Sequence, residues 1–238
     1  MDFTLTDDRR MLDDTLTRWL ADRYGPEHRR AVAYAAPWHD PERWAELAEL
    51  GVLGALVPER HGGFGGSAYD VLVVFEALGR GLCPEPMLAQ LIALKVLMAA
   101  GEDVTPLIDG SIRGALAVSE PDAPYGFHGF KTTTTKQRTL SGRKSAVYGA
   151  PGADRLLIVA DDLWVYEADK VTVEAAGMID GGPIGEVFID EAPAVLVLGD
   201  AKDAVLSQID RLDSLPRNGS VAVMRNALPA DPWLSVRT

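Results

Sequence analysis

The apolar residues change their spacing near residue 110, and this change constrains the fold more than any other feature of the sequence. Before Gly110 they recur at the three- and four-residue intervals of amphipathic helices. From Gly114 to about Leu198 they form short runs separated by glycine, proline and aspartate, as strands and turns do. The sequence therefore predicts a multi-domain α and β protein. An α-helical domain at residues 1–111 is followed by a small β-barrel or β-sandwich domain at 112–199 and a short helical C-terminal segment at 200–238.

Several helices of the first part carry recognisable start and end signals. Residues suited to capping a first helical turn occur at three places: Thr6, Asp40 with Pro41, and Ser67 with Asp70. A further helix is predicted from about Glu85 to Ala100, with Gly101 as its end. The glycines at 62, 63, 65 and 66 are interpreted as a tight turn, because no basic residue follows them as it would in a phosphate-binding loop.

The second part contains short segments with the pattern of strands, namely GALAVS, FKTTTTKQRTL, KSAVYG, RLLIVA, KVTVEA, GEVFID and AVLVLG. The stretch LSGRK, residues 140–144, is predicted to be a hairpin corner. Arg143 and Lys144 would then be solvated, although they could instead meet a phosphate of a cofactor or substrate. No glycine-rich dinucleotide motif, P-loop or metal-binding motif is present, so no metal site is predicted.

The charge of the chain limits its partners. It has 35 acidic and 23 basic residues among 238, giving a formal net charge of −12. A surface this negative repels nucleic acid and anionic lipid, so neither is expected as a partner. The single cysteine, Cys83, excludes an internal disulfide, and no signal-peptide pattern opens the chain. A cytoplasmic protein is expected.

Three stretches, in order, resemble the acyl-CoA dehydrogenase family. The first is WAELAELGVLGALVPERHGGFGGSAYDVLVVFEALGRG, residues 44–81, which is similar to the N-terminal signature of that family. The second is LAVSEPDA, residues 116–123, which resembles the flavin-site strand and turn. The third is LSGRKSAVYGAPGADRLLIVA, residues 140–160, which resembles the hairpin that follows. The resemblance extends over nearly the whole chain to about Gly199.

The resemblance implies an FAD cofactor and an acyl-CoA thioester substrate. By the same resemblance the flavin contacts are Leu116, Val118, Ser119, Ala146 and Tyr148, and Tyr125 stands where the family has a serine close to flavin phosphate and acyl-CoA. A strand end that opens into a turn frees backbone N–H groups, which can stabilise the charge of a reduced flavin. The residues alone favour a Ser119 that caps its own turn, whereas the resemblance favours the flavin contact.

The chain departs from the family at its hairpin and in its tail. Ala146 and Tyr148 occupy the places of the usual Trp-x-Thr, and no glutamate follows Glu191, although the family base is usually a glutamate of a C-terminal helical domain.

The resemblance therefore implies an FAD-dependent acyl-CoA dehydrogenase of lipid metabolism and fatty acid β-oxidation that is incomplete as a lone chain. An accessory subunit without chemistry is the alternative. A homo-oligomer, or a hetero-oligomer with a full-length acyl-CoA dehydrogenase, is expected, because the lost third partner would leave apolar surface uncovered.

Overall fold

A computed structural model describes residues 5–33, 35–65, 67–122, 130–135, 138–160 and 162–198 of the chain. Its first part is helical, as predicted. The helices are α1 (Asp7–Arg23), α2 (Pro26–Val32), α3 (Pro41–Glu49), α4 (Val52–Ala55), α5 (Ala68–Arg80), α6 (Met87–Ala100) and α7 (Thr105–Ile108). A short 3₁₀ turn at Glu59–His61 joins α4 to the glycine turn before α5.

The predicted helix starts are confirmed. The Thr6 side chain accepts from Arg9 N–H, and Asp40 accepts from the N–H groups of residues 42 and 43. Ser67 and Asp70 form a reciprocal capping box at α5. Gly101 ends α6 with φ of 79°, a left-handed conformation that costs glycine little. Local side-chain chemistry therefore decides where these helices begin and end.

Three helical segments were not predicted. Helices α2 and α7 are short, and Val52–Ala55 is a four-residue helix within an apolar run. An apolar run of that length fits a buried helix turn as well as a strand, so periodicity cannot separate the two. The glycine turn is confirmed where it is described, because a Cβ at Gly63 would overlap the carbonyl oxygen of Val57.

The second part consists of strands, again as predicted. They are β1 (Gly114–Ala117), β2 (Thr133–Thr134), β3 (Thr139–Tyr148), β4 (Arg155–Val159), β5 (Leu163–Glu167), β6 (Thr172–Gly177), β7 (Pro183–Pro193) and β8 (Val195–Leu198). One sheet has the order β1-β4-β5-β8 and the other β2-β3-β7-β6. Strand β1 runs parallel to β4, and the remaining pairs are antiparallel.

The prediction of a hairpin corner at LSGRK is wrong. Residues 140–144 lie inside β3, which pairs with β7 from Thr139 to Tyr148. The turn lies earlier, between β2 and β3, where Arg138 has φ of 61°. The segment FKTTTTKQRTL therefore contains β2 and the start of β3 instead of one strand. Strand β5 was not predicted at all.

The two sheets pack face to face as a sandwich, and the described strands do not close into a barrel. Their shared core contains Ala115, Ala117, Leu156 and Ile158 from one sheet and Leu140, Val147, Val187 and Ile189 from the other. Each set alternates along its strand, as expected when one face of each sheet is buried.

The helical layer covers the opposite face of the first sheet. Leu157 and Val159 of β4 belong to the helical core, and Leu116 of β1 packs against it. Gly149, at the end of β3, approaches α6 so closely that a Cβ there would overlap the Cβ of Ala89. This approach brings the end of β3 to the first turn of α6, where the candidate site lies.

The predicted domain boundaries at 111 and 199 stay predictions, and the segment 200–238 lies outside the described residues. Among the described helices, none combines the length and apolar character that crossing a membrane requires.

Candidate functional site

The end of β1 lies against the middle of β3, so the two sequence-predicted flavin stretches come together. Leu116 and Val118 are half-buried, and Ser119 follows the strand at 8% exposure. The N–H of Ser145 donates to the carbonyl oxygen of Ser119 at 2.9 Å. The segment from Leu116 to Ser119 therefore lies next to the segment that contains Ala146.

Strand β3 has a bulge at this contact. Its pairing with β7 shifts between Lys144 and Val147, which leaves Ser145 and Ala146 without a paired residue on β7. Ala146 is exposed and has φ of 53°, a left-handed conformation that is uncommon outside glycine. Bulges free backbone groups and redirect side chains beside functional sites.

The alternative that Ser119 caps its own turn finds no support. Among the described residues, its hydroxyl makes no hydrogen bond, and Pro121, two residues further on, has no N–H that could donate to it. Its backbone N–H also has no partner in the described part of the chain. Within the described ranges, neither group of Ser119 is bound by another residue.

A buried ion pair lies beneath this region. Lys144 Nζ contacts Glu120 Oε1 at 2.7 Å, and the two side chains are 0% and 2% exposed. Lys144 also donates to the carbonyl oxygen of Val118 at 3.1 Å and lies 4.4 Å from the ring centre of Phe130. Glu120 further accepts from the hydroxyl of Thr132 at 2.5 Å and its N–H at 3.1 Å. The pair fixes the position of the Val118–Glu120 turn.

The sequence expectation for Lys144 was therefore wrong, whereas Arg143 is exposed as expected and pairs with Glu186 at 2.8 Å. A signal for Lys144 was present in the sequence. Leu140 and Lys144 stand four residues apart, so they share a face of any continuous strand, and Leu140 faces the core. Because residues 140–144 were predicted to form a hairpin corner, the shared face of Leu140 and Lys144 was not considered.

Burial and partners move the two pKa values of the pair. Burial lowers the pKa of Lys144 to about 8, although the contact with Glu120 acts in the opposite direction. Burial would raise the pKa of Glu120, but hydrogen bonds from Lys144, Thr132 and the N–H of Lys131 lower it below its ordinary value. The carboxylate form of Glu120 is thus stabilised in place.

Tyr148 borders a pocket on the helical side of the same strand. The pocket has a volume of about 160 Å³ and lies between α2, α5, the start of α6 and the segment before β7. Burial, with the nearby Asp180, Cys83 and Glu85, raises the pKa of the Tyr148 phenol, which keeps it protonated. Tyr148 packs against both hydrophobic cores, so it connects the bulge to this pocket.

Glu85 is the polar group of the pocket that sequence reasoning missed. It is 3% exposed, and its Oε1 accepts from Tyr24 Oη at 2.6 Å and from Asp40 N–H at 3.1 Å. Burial raises its pKa to about 7. From the sequence, Glu85 was only the start of a predicted helix. Its partner Tyr24, the C-cap residue of α1, lies far from it in sequence, so no local pattern connects the two. Cys83, beside it, has a pKa raised by burial and behaves as a thiol.

Tyr125, predicted to meet substrate, lies outside the described residues.

Residues 6–104 match the family model described as acyl-CoA dehydrogenase, N-terminal domain. The chain is 36% identical over 124 residues to acyl-CoA dehydrogenase IpdE2 of Mycobacterium tuberculosis, a match that spans 50% of this chain and 39% of that relative. The chain therefore matches less than half of the length of that relative.

Solved structures share the fold over most of the chain. A steroid acyl-CoA dehydrogenase described as the Tcur3481-Tcur3483 G363A variant has a TM-score of 0.73 at 25% identity, covering 94% of this chain and 63% of that one. The ChsE4-ChsE5 complex of Mycobacterium tuberculosis has a TM-score of 0.75 at 22% identity, covering 96% and 64%.

Proposed function

Because the chain belongs to the acyl-CoA dehydrogenase family, we propose that it forms the flavin-side part of an FAD-dependent enzyme that desaturates an acyl-CoA thioester between its α and β carbons. The observation that carries this function is the meeting of Ser119 with the Ser145–Ala146 bulge. Two adjacent backbone segments there lie outside regular sheet pairing, and Ala146 of the bulge is exposed.

The residues present fit a flavin. An isoalloxazine ring needs N–H and hydroxyl donors where negative charge develops. The N–H and Oγ of Ser119 would supply such donors, and the exposed Ala146 leaves room for a flat ring beside them. When bound, FAD would supply the acceptor for the hydride that leaves the β carbon. Val118 is held for this role by Lys144, which binds its carbonyl oxygen.

Tyr148 separates this region from the pocket at the start of α6, so we assign the acyl group of the thioester to the pocket side. Apolar residues such as Phe75, Leu78 and Met87 line it, as an acyl group requires. The half-buried Tyr148 would exclude water between the two.

We further propose that the chain works in an oligomer, either with copies of itself or with a full-length family member. The solved structure of ChsE4-ChsE5, which has the same fold, is a complex of ChsE4 with ChsE5, and this supports the proposed arrangement. A cytoplasmic location is part of the same proposal and agrees with the single cysteine.

The visible absorbance of bound flavin tests the cofactor assignment. The purified chain, alone and mixed with a full-length family member, is incubated with FAD and passed through gel filtration. We expect flavin absorbance to co-elute with protein in at least the mixture. Ser119→Ala should weaken FAD binding about tenfold, the effect of losing one hydrogen bond.

Arg143→Gln is the matched control, because Arg143 lies on the same strand but pairs with Glu186 at the surface. It should leave FAD affinity unchanged. Flavin that fails to co-elute with either sample contradicts the proposed function. Flavin binding that Ser119→Ala leaves intact contradicts the assigned contact.

A further inference from the structure

The pocket beside Tyr148 has about the volume that a small ring occupies. Its volume is about 160 Å³, and Phe75, Leu78, Met87 and Leu88 belong to its apolar lining. An apolar protein cavity of about 150 Å³ holds a benzene molecule. An apolar group of that size therefore fits, and the partly open pocket leaves an exit for whatever the group is attached to.

One buried atom in this lining lacks a partner. Glu85 Oε1 accepts two hydrogen bonds, whereas Oε2 is buried and has none from the described residues. Buried polar atoms are nearly always hydrogen-bonded, and an orphan carboxylate oxygen is costly. Because Glu85 is one of the lining residues, a polar group on a ligand in the pocket would supply the missing hydrogen bond.

Two neighbouring polar groups of the pocket, Arg29 and Asp180, have partners of their own. Arg29 at the rim donates through Nε to the carbonyl oxygen of Leu82 at 3.0 Å and through Nη2 to that of Asp180 at 2.9 Å. Asp180 Oδ1 accepts from Gly182 N–H at 2.8 Å. Neither side chain hydrogen-bonds to Glu85 Oε2.

The charges around the pocket narrow the choice of ligand. The Arg29 guanidinium disfavours an ammonium group, and the Glu85 and Asp180 carboxyl groups disfavour an anion. A hydroxyl group is neutral and can either donate to a carboxylate or accept from a carboxylic acid. It satisfies Glu85 in both of its protonation states.

We propose that this pocket binds a ring-sized apolar group carrying a hydroxyl, which hydrogen-bonds to Glu85 Oε2. This assignment rests on the function proposed above, since the group would be part of the acyl moiety of the thioester. Glu85 is then a specificity-determining residue: it selects hydroxylated acyl groups, because a pocket built to bind a hydroxyl rejects the analogue that lacks it.

Benzyl alcohol and toluene are the probes, since they share the ring and differ in the hydroxyl. Binding to the full chain is followed by NMR of ¹³C-methyl methionine, with Met87 as the reporter in the pocket and Met98, farther along α6, as the internal control. A purely apolar pocket prefers toluene, because moving a hydroxyl out of water is unfavourable. We expect the wild-type chain to prefer benzyl alcohol and to shift Met87 but not Met98.

The source of the preference is tested with the double variant Tyr24→Phe/Glu85→Met, which replaces both hydrogen-bonding partners with apolar groups. Tyr24→Phe is the matched control, because it retains Glu85. The ratio of the two dissociation constants should move about tenfold toward toluene in the double variant and stay close to wild type in the control.

Preference for toluene in the wild-type chain, or probes that leave Met87 unshifted, overturns the inference whether or not the double variant folds. An unchanged ratio in a folded double variant also overturns it. Neither probe carries a thioester or needs flavin, so this failure is distinct from that of the proposed function. Absence of FAD binding would overturn that function and leave the measured hydroxyl preference as it stands.

Discussion

Two buried glutamates lie on opposite sides of the candidate site, and their surroundings differ. Glu120 has donors on both oxygens, including Lys144 and the N–H of Lys131, and its pKa is lowered. Glu85 has donors on one oxygen only, and burial raises its pKa to about 7. Glu120 is therefore a carboxylate with a structural role, whereas Glu85 gains or loses a proton near neutral pH.

The Glu85 pKa predicts a pH-dependent stability. Burial is the largest influence on it, and Tyr24, Asp40 and Arg113 are the ionisable groups that act on it. A carboxyl group with a raised folded-state pKa stabilises the fold fully below its unfolded value of 4.5 and loses that contribution as the pH rises through about 7. This loss is on the order of 3 kcal/mol.

Urea unfolding of wild type and Glu85→Gln between pH 4.5 and 8 checks this expectation. The difference in unfolding free energy between the two proteins should shift with rising pH in favour of the variant, because the amide does not ionise. Parallel profiles would show that Glu85 does not titrate in this range.

The Lys144–Glu120 pair gives a second prediction. Lys144→Met leaves a carboxylate buried without its cation, which typically destabilises a protein by about 3–5 kcal/mol. Adding Glu120→Gln should recover part of this loss, because the amide carries no charge. Arg143→Gln breaks only an exposed pair and should change stability by less than about 1 kcal/mol. Urea unfolding measures all three, and equal effects of the Lys144 and Arg143 changes would contradict the burial argument.

At the scale of elements, the helix caps could be predicted from the sequence, whereas the pairing of the strands could not. The caps at Thr6, Asp40 and Ser67 lie within three residues of the groups they bind, so the sequence shows both partners. Strand β3 was misread because its partner β7 lies some 40 residues further along the chain. The resemblance to a family indicated Ser119 and Ala146, whereas Glu85 and Lys144 were missed because their partners are distant in sequence.

The capping box of α5 supports a prediction at this scale. Ser67 Oγ accepts from Asp70 N–H and from Arg9 Nη2 at 3.0 Å, so it joins α5 to α1. Ser67→Ala should destabilise the protein by about 1–2 kcal/mol, at the upper part of the range for helix caps. Thr6→Ala is the control, because its cap bond is long at 3.4 Å and exposed, and its effect should be smaller. An equal or larger effect of Thr6→Ala in urea unfolding would contradict the role of the Arg9 bond.

For the whole molecule, the change of apolar spacing near residue 110 was enough to predict helices before strands. Whether the strands formed a barrel or a sandwich depended on which strands pair, and β1 pairs with β4 across more than 40 residues. The approach of Gly149 to α6 likewise joins the two parts through a contact that no local pattern records.

The last prediction is that the chain by itself does not turn over acyl-CoA. Desaturation needs a flavin, a thioester and a base that reaches the α proton, and a positioned base contributes about 10²–10⁴-fold to a rate. Glu85 and Asp180 are the carboxyl groups that line the pocket, and both accept hydrogen bonds that hold them in place. The tail acids Asp210 and Asp213 lie outside the described residues.

Anaerobic mixing of the FAD-loaded chain with saturating acyl-CoAs should leave the flavin oxidised, and dithionite added afterwards should bleach it as a control. Rapid bleaching by acyl-CoA alone would contradict this expectation, and Glu85→Gln and Asp180→Asn would then show which carboxylate serves as the base.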